Sequence, residues 1–227
     1  MGLQIIQEKE PARAMSVMAQ RITASLQNGK VLWLVCGGSN IEFSVMAMNE
    51  IREAGADLRN LTVALTDERF GSVGHRDSNW QQLMDTGFNI ENITTIPVLI
   101  DKSLEETIVE YTKKLEKIFD DDALVIAQLG IGTDGHIAGI LPETMEVSDR
   151  EMVRSFEASP YTRITLTLSV LAKIPVAYAF VFGPAKKEII TRLQNEIVPP
   201  SQMPAQIMKQ IPEAYLYTDQ ILKNASS

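Results

Sequence analysis

Residues 31–40 read VLWLVCGGSN and residues 123–136 read ALVIAQLGIGTDGH. In the first an unbroken apolar run, and in the second one broken only by Gln128, gives way abruptly to glycines. A run without polar alternation suits a strand buried on both faces, as in a parallel sheet covered by helices. Upstream of the first run, Met15, Met18, Ile22 and Leu26 recur at helical spacing within 11–28, and Asn28-Gly29 supplies a stop. Downstream, a helix is expected from about 41 to 54, closed by Gly55, then the strand LTVALT (61–66), a short helix near 78–85, a strand near 93–98 and a helix at 103–119. Beyond the second run come ITLTLS (164–169), VAYAFVF (176–182), helices at 185–195 and near 203–210, and AYLYT (214–218). Strands alternating with helices predict an α/β fold with a parallel sheet covered by helices on both faces. With no repeat, low-complexity tract or linker, residues 1–227 are expected to form a single domain. Ligands of such sheets bind beyond the carboxyl ends of the strands, so the residues after each strand carry the functional question.

Composition narrows the function classes. The 227 residues are 45% hydrophobic, enough for a sizeable core, and carry a formal net charge of −8. That sign is the reverse of a nucleic-acid-binding balance. No apolar stretch approaches the roughly 18 residues needed to span a bilayer. The opening MGLQIIQEKEPARAM lacks the basic flank and long apolar run of a signal peptide, and Ile6 breaks the myristoylation pattern. The one cysteine, Cys36, excludes an intramolecular disulfide and a Cys-based zinc site. A cytoplasmic protein is expected, with no metal, no cofactor, and neither nucleic acid nor membrane as partner; monomer and homodimer both stay open. The net charge would repel an anionic substrate at long range, so an anion site must gather its own cations.

Four strand ends hold candidates. Gly37-Gly38-Ser39-Asn40 opens a helix whose N-terminal N–H groups could receive an anion, with Ser39 adding a hydroxyl. The same residues serve equally as a tight turn with Ser39 or Asn40 as N-cap. Asp67-Glu68-Arg69 follows LTVALT, and in isolation reads as a solvated loop with an internal salt bridge. Leu129-Gly130-Ile131-Gly132-Thr133-Asp134-Gly135-His136 is the strongest signal. A histidine at a strand end can take a proton from water and return it to a leaving group, with Asp134 orienting the ring. His75, in Gly74-His75-Arg76, is expected on the surface. Arg163 and Lys186, the latter three residues after Gly183, complete the set; Lys186 and Lys187 are adjacent, so one of them can face a pocket.

Gly37-Gly38-Ser39, Asp67-Glu68-Arg69, Ser78-Asn79, LGIGTDGH (129–136), Leu141-Pro142, RITLTL (163–168) and Gly183-x-x-Lys186 occur in an order that resembles the 6-phosphogluconolactonases, in a superfamily with the glucosamine-6-phosphate deaminases. The resemblance spans about residues 30–195. It implies a doubly wound, mostly parallel Rossmann-like α/β fold and a sugar-phosphate ligand without metal or nucleotide. It further implies His136 as general base, Gly37–Asn40 with Arg163 and Lys186 as the phosphate cradle, and Arg69 as a substrate contact. The departures are Gly-Gly-Ser-Asn-Ile where the lactonases carry a GGSTP-like loop, and DGHIAG (134–139) where they read DGHTAS. Ile137-Ala138 is closer to the deaminases, which place a glutamate five residues after the histidine; here that residue is Leu141, with Glu143 two further on. Asp67 would transfer protons in a deaminase, or place Arg69 in a lactonase. A non-catalytic sugar-phosphate-binding protein is the third class.

Overall fold

The computed structural model describes residues 2–144 and 150–221; residue 1, 145–149 and 222–227 of the expected 1–227 unit lie outside the described residues. The elements in chain order are β1 (Gly2–Gln7), α1 (Pro11–Leu26), β2 (Val31–Val35), α2 (Ile41–Glu53), β3 (Leu61–Leu65), β4 (Asp67–Arg69), α3 (Asn79–Asp85), β5 (Thr94–Ile96), α4 (Leu104–Phe119), β6 (Leu124–Leu129), β7 (Val153–Ala158), β8 (Tyr161–Leu166), α5 (Leu168–Leu171), β9 (Val176–Phe180), α6 (Lys187–Asn195) and β10 (Glu213–Thr218).

Seven strands form one sheet in the order β1-β10-β9-β6-β2-β3-β5, with every neighbouring pair parallel. The apolar runs sit where their composition demands. All five residues of β2 are buried, and Trp33 packs against Phe88 with ring centroids 5.7 Å apart. Each large side chain so buried contributes roughly 1.5–3 kcal/mol relative to exposure. Connections β1–β2, β2–β3 and β3–β5 run toward one edge, and β5–β6, β6–β9 and β9–β10 run back. Right-handed crossovers therefore put α1–α3 on one face and α4–α6 on the other. Local signals agree: Pro11 begins α1, and Ser103 with Glu106 forms a capping box on α4. The chain leaves neighbouring β2 and β6 in opposite directions. This is the topological switch point, and it opens a crevice between the two glycine-rich turns.

A second sheet departs from the sequence-based expectation. RITLTL joins no parallel strand; β8 pairs antiparallel with β4 and β7, in the order β4-β8-β7. Asp67-Glu68-Arg69 is accordingly a strand with two buried carboxylates and not a solvated loop. Neither β7 nor β1 was anticipated. β7 (VRSFEA) mixes polar and apolar residues without alternating, and β1 is a half-buried sheet edge interrupted by Gln4 and Gln7. The segment near 203–210 is a 3-10 helix, Pro204–Lys209.

Candidate active site

The crevice is a polar cleft of about 250 Å³, lined by Cys36, the Gly37–Asn40 turn, Asp67, Arg69, Asn79, Gly130, Ile131, His136, Ala138, Gly139, Arg163 and Lys186. Of the ten residues expected from sequence, nine are in this lining. The tenth, Asp134, stands behind His136.

The histidine is fixed by its own turn. His136 Nδ1 and the Asp134 carboxylate lie 2.7 Å apart, and the His136 backbone N–H donates to the same carboxylate oxygen at 3.1 Å. With Nδ1 donating, Nε2 carries the lone pair and is the nitrogen able to accept a proton. Partial burial pulls the Asp134 carboxyl upward, but the bonds and charge of His136 outweigh it and hold it below the ordinary range. The backbone is closed by Gly132 N–H donating to the His136 carbonyl at 2.9 Å. A Cβ at 132 would collide with the imidazole, so only glycine lets the ring lie here. Ile137, one of the departures from the lactonase pattern, is buried and bridges to Ile131 and Ile140.

Strand alternation in the small sheet sorts its charges. Asp67 opposes Thr165 and Arg69 opposes Arg163, so these four share the cleft face while Glu68 points the other way. Two arginines directly opposite are mutually repulsive, and the Nε of each is buried without a partner. What relieves them is limited: Arg163 reaches Asp67 at 3.8 Å, and Arg69 stacks 5.0 Å over the Tyr161 ring and donates to the Asp77 carbonyl at 3.0 Å. The pair is suited to receive an anion. Burial pushes the Asp67 carboxyl upward, opposed by the Thr66 hydroxyl at 2.9 Å and by the charges of Arg163, His136 and Arg69.

Across the cleft, the Gly38–Asn40 turn runs directly into α2 and sets that helix's free N–H groups at the opening. Ser39 is exposed, whereas Asn40 is buried and its amide donates to the Leu129 carbonyl at 3.4 Å, tying the two glycine turns together. Lys186 donates to the Ile131 carbonyl at 2.5 Å; partial burial draws its ammonium below the usual range, against the charge of Asp134. Lys187 faces outward. Burial and the charge of Asp67 push the Cys36 thiol up to about 12, so it stays protonated and is a poor nucleophile at neutral pH.

Three further placements sharpen the reading. His75 is half-buried, its Nε2 3.0 Å from the Arg69 carbonyl, and is not a free surface group. Glu143 is exposed, with its N–H bonded to the Ser201 carbonyl, and takes no part in the cleft lining. Asn79 does line the cleft; its signal in the sequence was only the Ser78-Asn79 pair after a long polar loop. Among the described residues, no three His, Cys, Asp or Glu side chains are grouped as metal ligands would be. None of the helices there is long and apolar enough to cross a membrane.

A family model described as glucosamine-6-phosphate isomerases/6-phosphogluconolactonase matches residues 7–216. The human protein named 6-phosphogluconolactonase is 24% identical over 194 residues, 79% of this chain and 75% of its own length. A glucosamine-6-phosphate deaminase of Staphylococcus epidermidis is 26% identical over 208 residues, 83% of this chain and 84% of its own. The crystal structure of a 6-phosphogluconolactonase from Shewanella baltica shares the fold with a TM-score of 0.80 at 19% identity, covering 94% of this chain and 97% of that one. The chain therefore belongs to the glucosamine-6-phosphate isomerase/6-phosphogluconolactonase family.

Proposed function

We propose that this chain hydrolyses 6-phosphogluconolactone to 6-phosphogluconate in the cytoplasm. The observation that carries the reading is a histidine with one ring nitrogen tied to a carboxylate, set in a cleft with three cationic side chains. His136 Nε2 takes a proton from a water whose oxygen attacks the lactone carbonyl carbon. Arg69 and N–H groups of the glycine turn stabilise the resulting oxyanion, a contribution that can reach about 3–4 kcal/mol per donor. On collapse the bond from the carbonyl carbon to the ring oxygen breaks, and the imidazolium returns its proton to that oxygen. The Gly37–Asn40 turn, the N-terminus of α2, Arg163 and Lys186 hold the phosphate, converting remote binding into orientation of the carbonyl at His136. Asn40 contributes by fixing the turn, since its amide is engaged with Leu129.

The deaminase reading has the Staphylococcus relative in its favour, but the described cleft lining contains one carboxylate, Asp67, and Glu143 lies outside it. The test is the clearance of 6-phosphogluconolactone generated in situ, corrected for spontaneous hydrolysis, beside ammonia release from glucosamine 6-phosphate. Saturable lactone clearance with no ammonia is expected. Ammonia release would select the deaminase, and binding without either activity would make the chain a sugar-phosphate sensor.

A further inference from the structure

Behind the cleft wall lies a carboxylate that the proposed chemistry does not use. Glu68 is fully buried on the far face of β4. It accepts from four donors: the Ser78 hydroxyl at 2.8 Å and the backbone N–H groups of Arg69, Asn79 and Trp80 at 2.6, 2.7 and 3.0 Å. A buried carboxylate so fully satisfied is rigid, and it pins the first residues of α3 to the small sheet. The first of those residues, Asn79, reaches back into the cleft. Its amide donates to the Asp67 carbonyl at 2.9 Å and to the Asp67 carboxylate at 3.3 Å. On its other side the Asn79 amide oxygen occupies the space that a Cβ on Gly37 would need. One side chain thus touches both walls: the carboxylate strand and the glycine turn.

We propose that Asn79, clamped by Glu68, is a positioning residue that sets Asp67 and the Gly37 turn in register with each other. This rests on the lactonase reading and assigns a division of labour within it. The donor to Asp67 serves turnover, and the packing against Gly37 serves phosphate binding. The two can be separated by substitution. Asn79→Asp keeps the volume against Gly37 but replaces the donor by an acceptor, leaving two carboxylates in contact. Asn79→Ala removes both functions.

Lactone clearance should be measured for the wild type and both variants, together with binding of inorganic phosphate and thermal melting to establish folding. For Asn79→Asp the expected result is kcat down a few-fold, no further than in Asp67→Asn, with KM and phosphate affinity within about twofold of wild type. Its acid limb of kcat/KM should move to higher pH, because a lost donor and an added negative charge both favour protonated Asp67. The other charged or titratable groups near Asp67 (Arg69 and Glu68 on β4, Arg163 on β8, His136, Cys36 after β2, Tyr111 on α4) are unchanged in that comparison. For Asn79→Ala both kcat and phosphate affinity should fall. Glu68→Gln should lower kcat less in the Asn79→Asp background than in the wild type, since it acts through Asn79. An inactive wild type would defeat the lactonase reading itself. An active wild type with folded variants of unchanged kcat, KM and pH profile would overturn the positioning role. Should Asn79→Ala fail to fold, the near-isosteric Asn79→Asp decides alone.

Discussion

The two sheets of this molecule are built on opposite rules. The seven-stranded sheet is nearly all hydrocarbon at its centre, with β2 and β9 buried along their whole length. The three-stranded sheet buries Asp67 and Glu68 and sets two arginines face to face. The first arrangement is what burial favours. The second costs stability, because two carboxylates are desolvated and two guanidinium Nε groups lack partners. The large sheet therefore holds the fold, while the small one supplies charge to the cleft. The small sheet carries Asp67, Arg69 and Arg163 at a cost in stability, while the Gly37–Asn40 turn, His136 and Lys186 complete the cleft from beyond the ends of β2, β6 and β9.

Substitutions in each sheet should have opposite signatures. The largest effect is expected from Trp33→Ala in β2, which should cost about 3–5 kcal/mol of stability through the cavity left behind. Chemical denaturation would show this, and the fraction still folded should clear lactone at the normal rate. Arg163→Met should do the reverse, leaving the melting temperature nearly unchanged. Its kcat/KM should fall roughly 10- to 100-fold in a steady-state assay, the worth of a lost charge-assisted hydrogen bond to phosphate. If Arg163→Met instead unfolded the protein, the separation between the sheets would be wrong.

Gly139→Ala probes the seam between the two sheets. Gly139 has φ +71°, and an added Cβ would lie 2.7 Å from Asp67 Oδ2. Strain of about 1–3 kcal/mol is expected at such a position, with turnover reduced as Asp67 is displaced; melting and kinetics on one preparation would reveal both. Asp67→Asn should be the mildest, lowering turnover a few-fold; complete loss in a folded variant would assign Asp67 a direct proton transfer. Its stability effect has a definite sign. Because the folded-state pKa of Asp67 is raised, the native state holds that proton more tightly, and wild-type stability falls as pH rises from about 3.8 through the raised value. The variant lacks this cost. It should melt higher than the wild type at pH 7, with the advantage shrinking toward pH 4.

The same contrast explains what could be read from the residues. VLWLVC and ALVIAQLG are legible because burial on both faces leaves an apolar signature, broken only at Gln128, and their glycine-rich ends locate the cleft. Asp67-Glu68-Arg69 gives no such signature. Three charged residues resemble solvent-facing loop until their partners are supplied by β8, distant in sequence, and by the N-terminus of α3, brought back from beyond a polar loop. β1 and β7 are obscured similarly, since a half-buried edge and a polar strand without regular alternation carry weak periodicity. The convergence of Arg69 with Arg163 is likewise tertiary, although the acidic net charge announced that cations would have to gather somewhere.

His136 belongs to neither sheet but to the glycine-rich turn that follows β6 and lines the cleft. The decisive measurement is kcat/KM for 6-phosphogluconolactone clearance by the wild type and by His136→Ala, over pH 5–8 and corrected for spontaneous hydrolysis. Saturable acceleration is expected in the wild type and a loss of roughly 10²- to 10⁴-fold in the variant, with inorganic phosphate binding retained. A folded His136→Ala protein that clears the lactone at the wild-type rate would contradict the general-base role of His136.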